Sequence, residues 1–131
     1  MTYYHLGELV HRRAEKFGKK TAIRYQTKMA KGKWKSLSWR NFSKYVLQAA
    51  HGMAEMGVEP GDRIGVYSEN MAEYLITDFG AYANRAVMVP MYATASPSQV
   101  EYIVNDAEVK VIFVGEQFQY NHAFKVQSKS N

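Results

Sequence analysis

The chain has 131 residues, room for one domain that removes about two-thirds of its unfolded surface from water. Hydrophobic residues make up 47% and charged residues 22%, which excludes disordered, collagen-like and low-complexity readings of the whole chain, and the absence of cysteine excludes disulfide and thiolate chemistry. The net charge of +5 is segregated: residues 1–45 hold twelve Lys or Arg against two Asp or Glu, a balance of +10, and residues 46–131 hold five against ten, a balance of −5.

No apolar stretch approaches the about 18 residues of a membrane span, and MTYYHLGELVHRR lacks the basic-then-apolar layout of a secretory signal. Leu6, Leu9, Val10, Ala14 and Phe17 recur at helical spacing, so residues 5–17 read as a short amphipathic helix stopped by Gly18. Thr21–Gln26 alternates, with Ile23 and Tyr25 on one side, and Trp34–Trp39 is similarly strand-like. The segment Lys28–Lys33 contains Gly32, which predicts a two-stranded hairpin over 21–39 with Leu37 and Trp39 turned inward.

Ser38 is a natural cap for a helix over 39–57, whose stripe of Phe42, Tyr45, Val46, Ala49, Met53 and Met56 ends at Gly57. After the turn Glu59-Pro60-Gly61-Asp62, the apolar run Arg63–Ser68 predicts a strand buried on both faces. Asn70 can cap a helix over 71–83, with Met71, Leu75, Phe79 and Tyr82 on one face and Asn84 in the left-handed position that ends it. Val87–Met91 is a strand with Pro90 near its exit. Ser96-Pro97-Ser98-Gln99 is a capping box opening a helix over 97–106, which offers Val100, Ile103, Val104 and Ala107 to a core. Val109–Val114 is a third strand, Glu116–Val126 begins another helix, and Gln127–Asn131 is a polar tail.

Residues 63–114 therefore predict an α/β fold: a parallel three-stranded βαβαβ core with helices on both faces, plus the N-terminal helix and β-hairpin. In such sheets ligands sit beyond the carboxyl ends of the strands, so the candidate positions are Ser68, Asn70, Tyr92 and Thr94. The loop SENMAEY after the first strand has neither the G-x-G-x-x-G of a dinucleotide site nor the Walker pattern. His5, His11, His51 and His122 keep no metal-ligand spacing, and no Ser lies in a G-x-S-x-G elbow. Glu69 and Glu73, four apart near a helix start, favour the helix dipole over acid–base work, and the methionines read as core filling. No residue is assigned as catalytic, cofactor-binding or metal-binding. Lys28, Lys31, Lys33 and Lys35, interleaved with Trp34, leave open a stand-alone basic module for nucleic acid or an anionic membrane surface. A solvated rim is the plainer reading, and no nucleic acid is expected.

The stretch KWKSLSWRNF, the helix stop at Gly57 and the sequence GVEPGDRIGVYSENMAEYLITDFGAYANRAVMVPMYATASPSQVEYIVNDAEVKVIFV together resemble the N-terminal region of the AMP-forming acyl-CoA ligases, also called adenylate-forming synthetases. Trp34, Leu37, Ser38 and Trp39, with Tyr92-Ala93-Thr94, are most similar to the long-chain fatty acid branch, while Asn84 stands where most relatives have glycine. The resemblance implies a parent that joins ATP and a fatty acid into an acyl-adenylate and passes the acyl group to coenzyme A, with Mg as a further cofactor. The phosphate loop, the ribose-holding Asp and the C-terminal lysine of that family lie downstream of the matched region, so residues 1–131 are expected to be one inactive subdomain of a larger cytoplasmic ligase. Its expected partner is the rest of that chain. Weak self-association and peripheral membrane contact are further expectations.

Overall fold

A computed structural model describes residues 5–27 and 32–127. Ten elements follow in order: α1 (Leu6–Phe17), β1 (Thr21–Gln26), β2 (Trp34–Ser38), α2 (Trp39–Glu55), β3 (Arg63–Tyr67), α3 (Ala72–Ala83), β4 (Val87–Met91), α4 (Pro97–Asp106), β5 (Val109–Val114) and α5 (Gln117–Gln127). The hairpin β1–β2 is antiparallel, and β3 runs parallel between β4 and β5. Lys28, Lys31 and the tail beyond Gln127 lie outside the described residues.

The central strand has apolar neighbours on both sides, which is why its sequence lacks the alternation of a half-exposed strand. Ile64 packs with Met53, Val58, Ala81 and Ala86 in the layer of α2 and α3, joined by Met88, Val111 and Phe113. Tyr67 packs with Met91, Ala95, Val100 and Val126 in the layer of α4 and α5, joined by Val109, Ile112 and Val114. Helices therefore cover both faces. The partition on β5 depends on a register shift: Arg63 pairs with Val109 but Ile64 pairs with Val111, so Lys110 is the extra residue. Its ammonium reaches Gly57 O at 2.7 Å and Asp62 at 2.6 Å. That ion pair and the Glu59 N–H donating to Asp62 hold the Asp62 carboxyl below its ordinary value, Lys110 being the larger cause.

A third cluster joins Val10, Leu37, Phe42 and Val46, with Ile23, Tyr25, Trp39 and Phe79 against it, and so seats α1 and the hairpin on α2 and α3. The two middle helices approach closely because small residues meet: a Cβ on Gly80 would stand 3.0 Å from Ala49 Cβ. On α1 the fit is tighter still, since a Cβ on Gly7 would come 2.6 Å from Tyr82 O and 2.9 Å from Ala83 Cα.

The helix ends show where local reading succeeds and fails. Ser38 accepts from Asn41 N, and Ser96 and Gln99 form the full reciprocal box with Pro97 at the first helical position. Asn70 does not cap α3: Met71 occupies that position without a side-chain hydrogen bond. Asn84 is not left-handed either, with φ −84°. Arg85 takes the positive φ, 57°, while Asn84 Nδ2 donates to Ala50 O at 2.8 Å. A long-range hydrogen bond to α2 thus holds Asn84, and the chain reverses one residue later. The α2 stripe is also rotated, with Tyr45 and Met56 exposed and Ala50 buried, because the helix meets both α1 and α3. On α3 the buried residues are Ala72, Gly80 and Ala81, with Ile76 and Phe79 against the third cluster. Leu75 is exposed, so the predicted Met71–Leu75–Tyr82 face is displaced by a residue. Trp39 is the first residue of α2 rather than the last of a strand, and is half-buried against Phe17 and Phe42.

Candidate functional site

The carboxyl ends of β3 and β4, with Tyr74 of α3, open into a cleft of about 630 Å³ lined by Ser68, Glu69, Asn70, Tyr74, Pro90, Met91, Tyr92 and Ala93. Three of the four sequence candidates, Ser68, Asn70 and Tyr92, are thus brought together, whereas Thr94 is exposed and does not line the cleft. They differ in kind. Ser68 is buried, its Oγ donating to Glu69 O at 2.9 Å and lying 3.1 Å from Met71 Sδ, so its hydroxyl is committed to the loop. Tyr92 is 86% exposed and presents its whole ring at the rim.

Ser68 can tuck in because residue 115 has no side chain. A Cβ on Gly115 would lie 2.2 Å from Ser68 Oγ, and Gly115 N donates to Tyr67 O at 3.1 Å, extending the β3–β5 ladder one step past the strands. Beneath the cleft the loops are tied by buried polar side chains. Tyr67, fully buried, donates its hydroxyl to Ala95 O at 2.6 Å, leaving the phenol oxygen to accept from His122 Nδ1 at 3.1 Å. The His122 ring stacks on Tyr67 and meets the edge of Phe118. Gln119, also fully buried, accepts from Glu116 N through Oε1 and donates through Nε2 to Ala93 O, both at 3.0 Å. Strand β3, the β4–α4 loop and the start of α5 are therefore one hydrogen-bonded unit.

Tyr67, Gln119 and His122 escaped the sequence reading because their partners lie 26 to 55 residues away. One local signal existed: Gln119 stands three residues after Glu116, half of a capping box at the start of α5. What this arrangement does is position loops. Among the described residues no group of three His, Asp or Glu side chains converges as a metal site would require.

Tyr74 links the cleft to a polar stripe on α3, Tyr74, Asp78 and Tyr82, spaced one turn apart. Burial pushes the Asp78 carboxyl above its ordinary value, and burial with the nearby Asp78 charge raises both phenols. A carboxyl raised by burial favours the fold when protonated. Its contribution declines as pH rises from the ordinary carboxylate value through the folded one, and the penalty persists at neutrality. Asp78→Asn is therefore expected to raise the melting temperature at pH 7 and to lose that advantage near pH 3.5. An equal effect at both pH values, measured by circular dichroism, would contradict this.

The model of the family described as AMP-binding enzyme matches residues 10–131. Among curated proteins the chain is similar to a probable CoA ligase, CCL6, of Humulus lupulus, 34% identical over 80 residues that cover 61% of this chain and 12% of that protein. It is similar also to the long-chain-fatty-acid–CoA ligase FadD15 of Mycobacterium bovis, 35% identical over 82 residues covering 63% of this chain and 14% of that one. The chain therefore spans about an eighth of the length of these relatives. Among solved structures, a long-chain-fatty-acid-CoA ligase (FadD1) from Archaeoglobus fulgidus superposes with a TM-score of 0.83 at 26% identity, covering 98% of this chain and 27% of that one. With its parallel sheet, its strand-end cleft and a family match that runs over nearly all of its length, the chain belongs to the AMP-binding enzyme family.

Proposed function

We propose that this chain is the N-terminal scaffold portion of a cytoplasmic, ATP-dependent fatty acid–CoA ligase, and that it performs no adenylation alone. In the whole enzyme, ATP and a fatty acid would form an acyl-adenylate with loss of pyrophosphate, and coenzyme A would take the acyl group. The observation that carries the reading is the strand-end cleft itself. It has the position of a ligand site in an open parallel sheet, yet its one buried hydroxyl, on Ser68, is turned into the loop. The residues here do not fit ATP, Mg or coenzyme A by themselves: SENM after β3 supplies no glycine-rich phosphate cradle, and no lysine follows β5 in its loop. Similarity to relatives named as long-chain fatty acid ligases supports the substrate class.

The test is fatty-acid-dependent exchange of pyrophosphate into ATP. Residues 1–131 alone are expected to match the no-enzyme blank, and turnover above it would overturn the assignment. A chimera in which these residues replace their counterpart in the Archaeoglobus fulgidus ligase is expected to retain exchange. A folded chimera without exchange would count against the fatty acid ligase reading.

The sheet edges indicate what the remaining polypeptide would cover. β4 carries Pro90, which cannot donate to a ladder, but β5 is a six-residue run without proline. Beside β5 lies a groove of about 450 Å³ lined by Val104, Val109, Ile112, Val114 and Phe124 among others. Phe118, Tyr120 and Phe124 of α5 are exposed next to it. Left uncovered, this edge is expected to cause weak self-association, visible as a sedimentation coefficient that rises with concentration; a constant monomer value would argue against an open β5 edge.

A further inference from the structure

Helix α2 carries its charge against its own dipole. A helix favours acids in its first turn and bases in its last, yet α2 has no acid in the first and no base in the last. Arg40 stands in the opening turn and Glu55 is the final residue, so each charge sits at the unfavourable end. Lys44 follows Arg40 by four positions, a spacing at which like charges repel. No intrachain contact offsets these costs. Arg40, Lys44, Gln48, His51 and Glu55 are all exposed, and among the described residues none of the five makes a side-chain hydrogen bond or ion pair. They share the side of α2 opposite Phe42, Val46, Ala50 and Met53, which face the core, and Leu47 lies among them 48% exposed. This outer side borders an open trough of about 570 Å³.

The stripe is complementary to itself when one copy is turned end for end. About a two-fold axis passing between Leu47 and Gln48, an antiparallel second α2 sets each residue against the one equally far beyond the axis. Arg40 then meets the second copy's Glu55 and Glu55 its Arg40, two ion pairs separated by the rise of fifteen residues, about 22 Å. Each pair also corrects a helix end, because a carboxylate arrives at the N-terminus of α2 and a guanidinium at its C-terminus. Lys44 falls opposite His51, whose ring accepts from the ammonium when neutral. Ser43, its hydroxyl 2.6 Å from His11 Nδ1, falls opposite Gly52, where even a Cβ would meet nothing within 4 Å, so the flanks leave room for close approach. Leu47 of both copies lies beside the axis, where each covers the other. A free anion would answer Arg40 and Lys44 but leave Glu55 and Leu47 as they are, and a parallel helix pair would set like charges together at both ends. An antiparallel second copy answers all four.

We infer that the outer side of α2 is a self-docking surface through which two copies of this chain pair antiparallel, Arg40 of each against Glu55 of the other. The inference stands on this helix alone and survives or fails independently of the ligase reading. The experiment is sedimentation equilibrium of the 131-residue chain at low salt. One helix pair buries less than a standard interface, so a monomer–dimer equilibrium is expected with a dissociation constant on the order of 100 µM, weakening in about 0.5 M salt. Arg40→Glu or Glu55→Arg turns both attractive pairs repulsive and is expected to weaken the dimer about thirty-fold. The double variant, with the charges exchanged, should dimerise within about threefold of the parent sequence, and a mixture of the two single variants should form the heterodimer. Leu47→Glu, at the axis, should abolish pairing. Each single charge change puts the favoured sign at a helix end, so melting temperatures of the dilute variants are expected not to fall, and lost pairing is then not lost folding. A parent chain that stays monomeric throughout, association that the single variants and Leu47→Glu leave unchanged and that therefore belongs to the β5 edge, or a double variant no better than the singles would each overturn the proposal.

Discussion

Gly7→Ala is expected to lower the melting temperature by about 10 °C, reflecting a net loss of about 2–3 kcal/mol. The methyl group would stand 2.6 Å from Tyr82 O and 2.9 Å from Ala83 Cα. Both are backbone atoms at the end of α3, so no side chain can swing aside, and α1 must lift. Lifting it would open the cluster that holds Val10, 1% exposed, against Phe42 and Val46. The helix propensity of alanine returns about 1 kcal/mol at most, less than the clash removes. Gly52→Ala is the matched control: the position lies inside α2 and an added Cβ meets nothing within 4 Å, so that variant should gain about 0.5–1 kcal/mol. Thermal denaturation of the pair separates the two effects, and a Gly7→Ala variant as stable as Gly52→Ala would show that α1 does not press on α3 as described.

Gln119→Leu is expected to cost about 2–4 kcal/mol even though it keeps nearly the same bulk. The substitution strips Glu116 N of its acceptor and Ala93 O of its donor inside the protein, and an unpaired buried group costs about 1–3 kcal/mol. The damage should be local as well as global. Hydrogen exchange is expected to quicken at the amides from Tyr92 to Ala95 and from Gly115 to Gln119, because Gln119 holds those two loops together. Unchanged exchange in those segments, with a normal melt, would mean that solvent or other groups satisfy both partners and that the loops are positioned otherwise.

The central architecture was legible because its signals are local. Ser96-Pro97-Ser98-Gln99 fixed the start of α4, and the three strands ended within a residue of the expected positions because Pro60-Gly61-Asp62 and Gly115 bound apolar runs too short to be helices. Cap assignments failed where a distant partner outbid the neighbouring backbone: Asn84 turns to Ala50, 34 residues away, and Arg85 takes the left-handed position. The stripes of α2 and α3 were displaced because each helix faces more than one neighbour, so a single projected face misses Ala50 and Gly80. At the cleft, residue types near strand ends pointed to Ser68, Asn70 and Tyr92. The side chains that hold the cleft together, Tyr67, Gln119 and His122, carry no periodicity that distinguishes them from ordinary packing residues.

The surplus residue in β5 also decides the handing-out of the run Val111-Ile112-Phe113-Val114 between the two helical layers. Side-chain direction in a strand has a period of two, so parity, once set, governs every later position. Because Lys110 bulges outward to clasp the turn before β3, Val109, Ile112 and Val114 meet α4 and α5 while Val111 and Phe113 meet α2 and α3. Ironing out that kink without shortening the chain would trade the two sets, driving the Phe113 ring into a layer already filled by Tyr67 and Met91. A single lysine thus acts as the indexing tooth that keeps the sheet's two sides from being exchanged.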